Sequence, residues 1–213
     1  MECIDKYCKW SGQSLNKAKS GVFFSKHTPL PSQRSIKHIL EMKKLKHDAV
    51  YLGTPIFLSK SPSKDFKYLV DSLESKLIGW RSRMLSRVGR TTLIKSVAQA
   101  IPNYAMSSFK IPSGVCDKLD ALSHRFWWKP KSQNGPYLAL IAWDNLCKPT
   151  CKGGLGFRKA KEFNDVLLAK LAWMIASKRD SLCMSILRAK YKVRHSWLHD
   201  NPPFKSFTGL EGH

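Results

Sequence analysis

A mainly α-helical protein with a small β remnant near the N-terminus, α+β overall, is predicted by three features of this sequence. Apolar residues recur at helical spacing, most clearly at Phe66, Leu69, Leu73, Leu77, Trp80 and Met84. The β-like runs bounded by turn residues fall in the first 60 residues. The 213 residues are 43% hydrophobic and 24% charged, enough for one sizeable core or two small domains and unlike a wholly disordered chain.

Taken in order, residues 2–12 read as a short helix with Ile4, Tyr7 and Cys8 on one side, stopped by Ser11-Gly12. Gly21-Val22-Phe23-Phe24-Ser25 reads as a strand. Pro31-Ser32 opens a helix to about Lys46, and its tail Lys43-Lys44-Leu45-Lys46 suits the negative dipole end. Residues 50–53 and 55–58 read as two short strands broken at Gly53-Thr54-Pro55. The helix carrying the Phe66–Met84 stripe follows Asp65. Leu85-Ser86 offers a break, with Ser86 as N-cap of a helix bearing Val88, Leu93, Ile94, Val97, Ala98 and Ile101. Pro102 ends that helix. Gly89, in its first turn, reads as a point of close approach for another helix or for a phosphate, with helix packing favoured. Residues 104–110 supply one or two turns, and Ser113 caps a helix with Val115, Leu119, Leu122 and Phe126 on its face. Residues 131–136 form the best linker candidate. The apolar run 137–143 fits either helix or strand, residues 147–156 form a long turn, and helices follow at about 158–177 and 180–192.

The charge is far from average. Thirty-seven Lys+Arg face 15 Asp+Glu, a net +22 that favours nucleic acid or another polyanion as partner. Between Glu74 and Asp117 there is no acid, yet Lys76, Arg81, Arg83, Arg87, Arg90, Lys95 and Lys110 fall there. No apolar run of about 18 residues exists, so no membrane helix is expected. The N-terminus lacks the pattern of a secretion signal, and six scattered cysteines read as reduced thiols. An intracellular protein, nuclear or cytoplasmic, is the expectation.

Arg81, Arg83, Arg87, Arg90 and Lys95 are the binding candidates, because guanidinium groups grip phosphate oxygens in bidentate fashion. Arg83, Arg87 and Arg90 form one ridge if the helix runs through Ser86, and a corner cluster if it breaks there. A solvated face is the competing reading. Trp80, Trp127, Trp128, Trp143, Trp173, Tyr51 and Tyr104 offer stacking surfaces, though their apolar settings favour core packing. One member of the adjacent pair Trp127-Trp128 is a candidate for exposure. Cys147-x3-Cys151 lacks the further ligands a zinc site needs. Gly153-Gly154-Leu155-Gly156 lacks the Gly-Lys-Ser/Thr of a phosphate loop and reads as a tight turn.

Several short motifs in this order resemble the later part of plant LINE-type (non-LTR) retrotransposon reverse transcriptases. They are Ser11-Gly12-Gln13 through Asn16 with Lys19-Ser20; Tyr51-Leu52-Gly53-Thr54-Pro55; Trp80 with Leu85-Ser86 and Gly89-Arg90; Leu93-Ile94-Lys95-Ser96-Val97; Ile101-Pro102 with Tyr104 and Met106; Phe126-Trp127-Trp128; Trp143; and Gly153-Gly154-Leu155-Gly156. The resemblance implies that residues 1–60 are a residual palm and primer-grip segment, with Tyr51, Leu52 and Gly53 in the grip. It implies a helical thumb at 61–130 and a helical extension with a polar tail at 131–213. The partner it implies is RNA, DNA or an RNA–DNA duplex, and Lys19 matches a palm lysine near the departing pyrophosphate. The catalytic Tyr-x-Asp-Asp hairpin is expected upstream of residue 1. No Asp-Asp pair occurs in the chain, so no catalytic residue, metal site or cofactor is assigned. Mg²⁺ is expected only in the full-length family enzyme, where paired carboxylates hold it. The isolated chain is expected to lack polymerase activity, and an inert remnant of a degenerate element is the alternative.

Overall fold

The computed structural model describes residues 2–25, 27–45, 49–81, 85–128, 137–177 and 181–191. They form a mainly helical protein with two small two-stranded sheets. The chain divides into two compact units between Phe57 and Leu58. The anticipated linker at 131–136 lies outside the described residues.

The first unit opens with helix α1 (Glu2–Ser11), which has acids in its first turn and Lys9 in its last, as the helix dipole favours. Gly12 at φ 67 ends it. Strand β1 (Gly21–Val22) is shorter than the expected 21–25. Helix α2 (Leu30–Leu40) does not continue to Lys46. Glu41 turns into the left-handed region at φ 52, its N–H bonded to the Lys37 carbonyl. The chain then leaves as strand β2 (Lys43–Lys44), which pairs in parallel with β1. Lys43 and Lys44, expected in a helix tail, are therefore strand residues, and Lys46 lies outside the described residues. β1 needs partners for its backbone groups, and Leu45 N–H adds one more bond to the Val22 carbonyl at 2.9 Å.

Strands β3 (Val50–Tyr51) and β4 (Thr54–Pro55) form a tight antiparallel hairpin. Its turn is Leu52-Gly53, at φ 50 and 79, the paired positive φ of a two-residue hairpin. The expected break at Gly53-Thr54-Pro55 is thus displaced toward the N-terminus, and Thr54 belongs to the second strand. Among the described residues of this unit only Phe24 and Thr54 are buried.

The second unit holds the main core. One turn, α3 (Pro62–Asp65), leads into α4 (Lys67–Arg81), and the Asp65 carboxylate accepts from Ser59 N–H at 2.7 Å. Phe66, Leu69, Leu73 and Leu77 are all essentially inaccessible and Trp80 packs partly buried against them, so this part of the predicted stripe is the packing face; Met84 lies outside the described residues. Burying each such side chain stabilises the fold by about 1.5–3 kcal/mol. Helix α5 (Arg87–Leu93) runs directly into a π-helical turn (Ile94–Ala98), and α6 (Asn103–Met106) follows Pro102. Helix α7 (Ser113–Trp128) supplies Val115, Leu119, Phe126 and Trp127 to the same core. The run 137–143 is irregular up to the short helix α8 (Trp143–Cys147). A 3-10 turn (Thr150–Lys152) then leads to α9 (Ala160–Ala176) and α10 (Leu182–Tyr191). Helix α7 packs on α4, α5 and α9. Residues of the expected 61–130 and 131–213 regions therefore share one unit.

Two packing expectations are corrected. A Cβ on Gly89 would meet only Ser86 and Leu85, no closer than 3.6 Å, so no neighbouring helix presses there. Trp173, Tyr104 and Tyr51 are exposed and do not pack in the core. Trp80 does pack on Phe126, with ring centroids 5.9 Å apart.

Candidate nucleic-acid interface

The basic stretch after α4 breaks at Ser86, whose side chain accepts from Gly89 N–H at 3.2 Å and caps α5. The uninterrupted arginine ridge does not form. Arg81 is the last residue of α4, and Arg83 lies outside the described residues. Arg87 and Arg90, one turn apart on α5, diverge. The Arg87 guanidinium lies 5.6 Å from both the Trp127 and Trp128 ring centroids, and those rings meet edge to face. Arg87 remains exposed.

Arg90 turns inward. Its Nη1 donates to the Trp127 carbonyl at the end of α7, while its Nε is buried without a hydrogen-bond partner. Burial, and secondarily the Arg87 charge, lowers its pKa. Arg90 thus ties α5 to α7. Thr91 completes the junction. It accepts from the Trp127 indole N–H at 3.0 Å and donates to the Arg87 carbonyl at 2.9 Å. Trp127 is buried and Trp128 half-buried.

Lys95 sits in the π-helical turn, exposed, with its Nζ 3.7 Å from the point where a Cβ on Gly156 would sit. Among the described residues Arg87, Arg90 and Lys95 form no ion pair with a carboxylate. Tyr51, Leu52 and Gly53 are exposed at the hairpin of the other unit. Lys19 is exposed in a turn of that unit.

The turn 147–156 is built by glycine. A Cβ on Gly154 would lie 1.9 Å from the Lys148 carbonyl oxygen, and that oxygen accepts from Gly156 N–H at 2.8 Å. Its amides are largely spent on such internal bonds, which fits a turn and not a phosphate loop. Cys147 and Cys151 are free thiols. Burial pushes Cys147 up to about 12 and Cys116 to about 11, so neither is a thiolate near neutral pH. Among the described residues no group of three or more His, Cys, Asp or Glu is placed to hold a metal.

Two structural polar residues are not evident from the sequence. Asp120, expected as a cap or solvated acid, is half-buried, and both its oxygens accept from Ala160 N–H at 3.2 Å, capping α9 from α7. Desolvation raises its carboxyl to about 6. The Trp143 indole N–H points toward the same carboxylate but falls short of hydrogen-bond geometry and stays buried without a partner. Asn164 is buried on α9. It accepts from Ile111 N–H at 2.9 Å and donates to the Met106 and Phe109 carbonyls at 2.8 and 2.9 Å. The only hint of it in the sequence is an Asn within the run Phe163, Val166, Leu167.

No family model matches the chain. It is similar to an Arabidopsis thaliana protein named "Putative ribonuclease H protein", with 35% identity over 137 residues, 64% of this chain and 22% of that protein. It is also similar to an uncharacterized mitochondrial protein of the same plant, with 39% identity over 93 residues, 43% of this chain and 60% of that protein. The chain thus spans about a fifth of one relative and three fifths of the other.

Proposed function

We propose that this chain is a retroelement-derived, catalytically incomplete reverse-transcriptase-like protein whose helical unit binds nucleic acid through the sugar-phosphate backbone. The observation that carries the reading is Arg87. It is exposed, oriented over the Trp127 and Trp128 rings and unpaired with any described carboxylate, in a stretch without acids from 75 to 116. A guanidinium held by ring contacts keeps its N–H edges free for phosphate oxygens. Contacts of this kind carry no base information and weaken with salt. The relative named for ribonuclease H, together with the motif order that resembles LINE-type reverse transcriptases, supports a retroelement origin and a template–primer-like ligand. In that reading residues 61–130 correspond to the thumb of such enzymes and residues 131–213 to the helical extension after it.

Filter binding of an RNA–DNA duplex across a salt series tests it. Affinity is expected to fall steeply with salt, and Arg83→Ala with Arg87→Ala to flatten the slope. Salt-independent binding would overturn the reading. A second reading, an inert remnant, draws on the first unit, where only Phe24 and Thr54 are buried among the described residues. It predicts no salt-sensitive binding by the folded chain.

A further inference from the structure

We infer that the phosphate-contacting surface continues from Arg87 through Lys95 onto the turn at residues 148–158, forming one basic track along a single nucleic-acid strand. This rests on the backbone-binding reading above. Three observations join these elements. Lys95 Nζ reaches the open space that a side chain at Gly156 would fill. Gln99, the residue after the π-helical turn, donates through Nε2 to the Arg158 carbonyl at 3.0 Å. The close approach of Gly154 to Lys148, and the Gly156 hydrogen bond, fold Lys148 back on the same turn.

Lys95, near the start of the π-helical turn, follows Arg87 by eight residues, about 80° round the axis at about 100° per residue, on the same broad side of the helix. The separation along the axis is about 12 Å at 1.5 Å per residue. That matches three to four steps of a duplex strand at about 3.4 Å each. Lys148, Lys152 and Arg158 are exposed, and none is ion-paired among the described residues. The nearby acids Asp144 and Glu162 share one cation, Lys159, at 2.9 and 3.3 Å, so about one negative charge stays beside the track, against the three positive charges of Lys148, Lys152 and Arg158. A side chain on Gly156 would cover the Lys95 ammonium, and glycine leaves it open to an anion.

The test is lysine-acetylation footprinting of the full chain with and without a short RNA–DNA duplex, combined with salt-slope measurements on the triple variant Lys95→Gln, Lys148→Gln, Lys152→Gln. Lys95, Lys148 and Lys152 are expected to be protected, while Lys170, exposed on α9, is not. The triple variant is expected to lower the salt slope by about two to three, at roughly 0.7–0.9 for each phosphate no longer neutralised, with an unchanged thermal transition. If Arg87→Ala flattens the slope but the lysines stay unprotected and the triple variant binds like the parent, the track is wrong and the Arg87 site stands. Equal protection of Lys170, or an equal slope change from Lys170→Gln, would show a diffuse basic surface and overturn the track. Salt-independent binding by the parent chain removes both.

Discussion

At the scale of single residues, Arg87 and Arg90 show how one turn of helix separates a surface residue from a structural one. Arg90→Ala removes a charge-assisted bond to the carbonyl end of α7 and is expected to cost about 1–2 kcal/mol in denaturant unfolding. Arg87→Ala loses only an exposed cation–π interaction, worth less than about 1 kcal/mol. Its expected effect is on binding, where the salt slope should fall by about 0.7–0.9. The opposite pattern, with Arg87 governing stability and Arg90 governing binding, would contradict the assignment. Asp120 makes a different prediction. Its carboxyl is raised from 3.8 to about 6 by burial, so the fold favours the protonated form. The stability this contributes is fully present below about pH 3.8 and is lost as pH rises through about 6, on the order of 2–3 kcal/mol. Asp120→Asn keeps an acceptor for the Ala160 N–H and carries no charge. Unfolding measured from pH 4 to 7 should show this variant less pH-dependent than the parent and more stable at pH 7.

At the scale of elements, α9 is fastened to the α6–α7 connection by the buried Asn164 and, at the surface, by the Lys110–Asp165 ion pair. Asn164 bonds three backbone groups, of Ile111, Met106 and Phe109. Asn164→Leu leaves the buried Ile111 N–H and Met106 carbonyl and the part-buried Phe109 carbonyl without this partner, and about 3 kcal/mol should be lost, since each orphaned group costs about 1–3 kcal/mol. A loss below about 1 kcal/mol in chemical denaturation would show that water or rearrangement satisfies them. This fastening explains what the sequence could and could not reveal. The stripe Phe66, Leu69, Leu73, Leu77 was legible because apolar periodicity is a local signal of burial. The Ser86 cap was legible because capping acts within one turn. The inward turn of Arg90 was not, because its partner carbonyl belongs to Trp127, far along the chain. Asp120 and Asn164 were hidden for the same reason, each serving backbone of a distant segment. At α2 the local signal misled. Lys43 and Lys44 suit a helix end by charge, but the left-handed Glu41 and the backbone needs of β1 made them a strand.

At the scale of the whole molecule, the two units differ in how much they bury. A domain of fewer than about 60 residues is marginal even with a well-formed core. The first unit buries only Phe24 and Thr54 among its described residues, while Trp10, Leu30, Ile39, Tyr51 and Leu52 are more than half exposed. Its sheets are two strands of two residues each, too small for independent stability. The second unit buries Phe66, Leu73, Leu77, Ile94, Met106 and Phe126 in one continuous cluster. Residues 58–213 expressed alone are therefore expected to unfold in one cooperative thermal transition, and residues 1–57 alone to show none by circular dichroism. Because the Arg87 junction and the Lys95 turn both belong to residues 58–213, that fragment should also retain the parent chain's salt slope toward an RNA–DNA duplex to within about one unit. A cooperative transition in 1–57 would mean that the first unit holds more structure than its burial indicates. A slope reduced by several units in the cooperatively folded 58–213 fragment would put much of the phosphate grip on the lysines of the first unit. The net +22 of the chain would then act as a distributed charge and not through the helical junction.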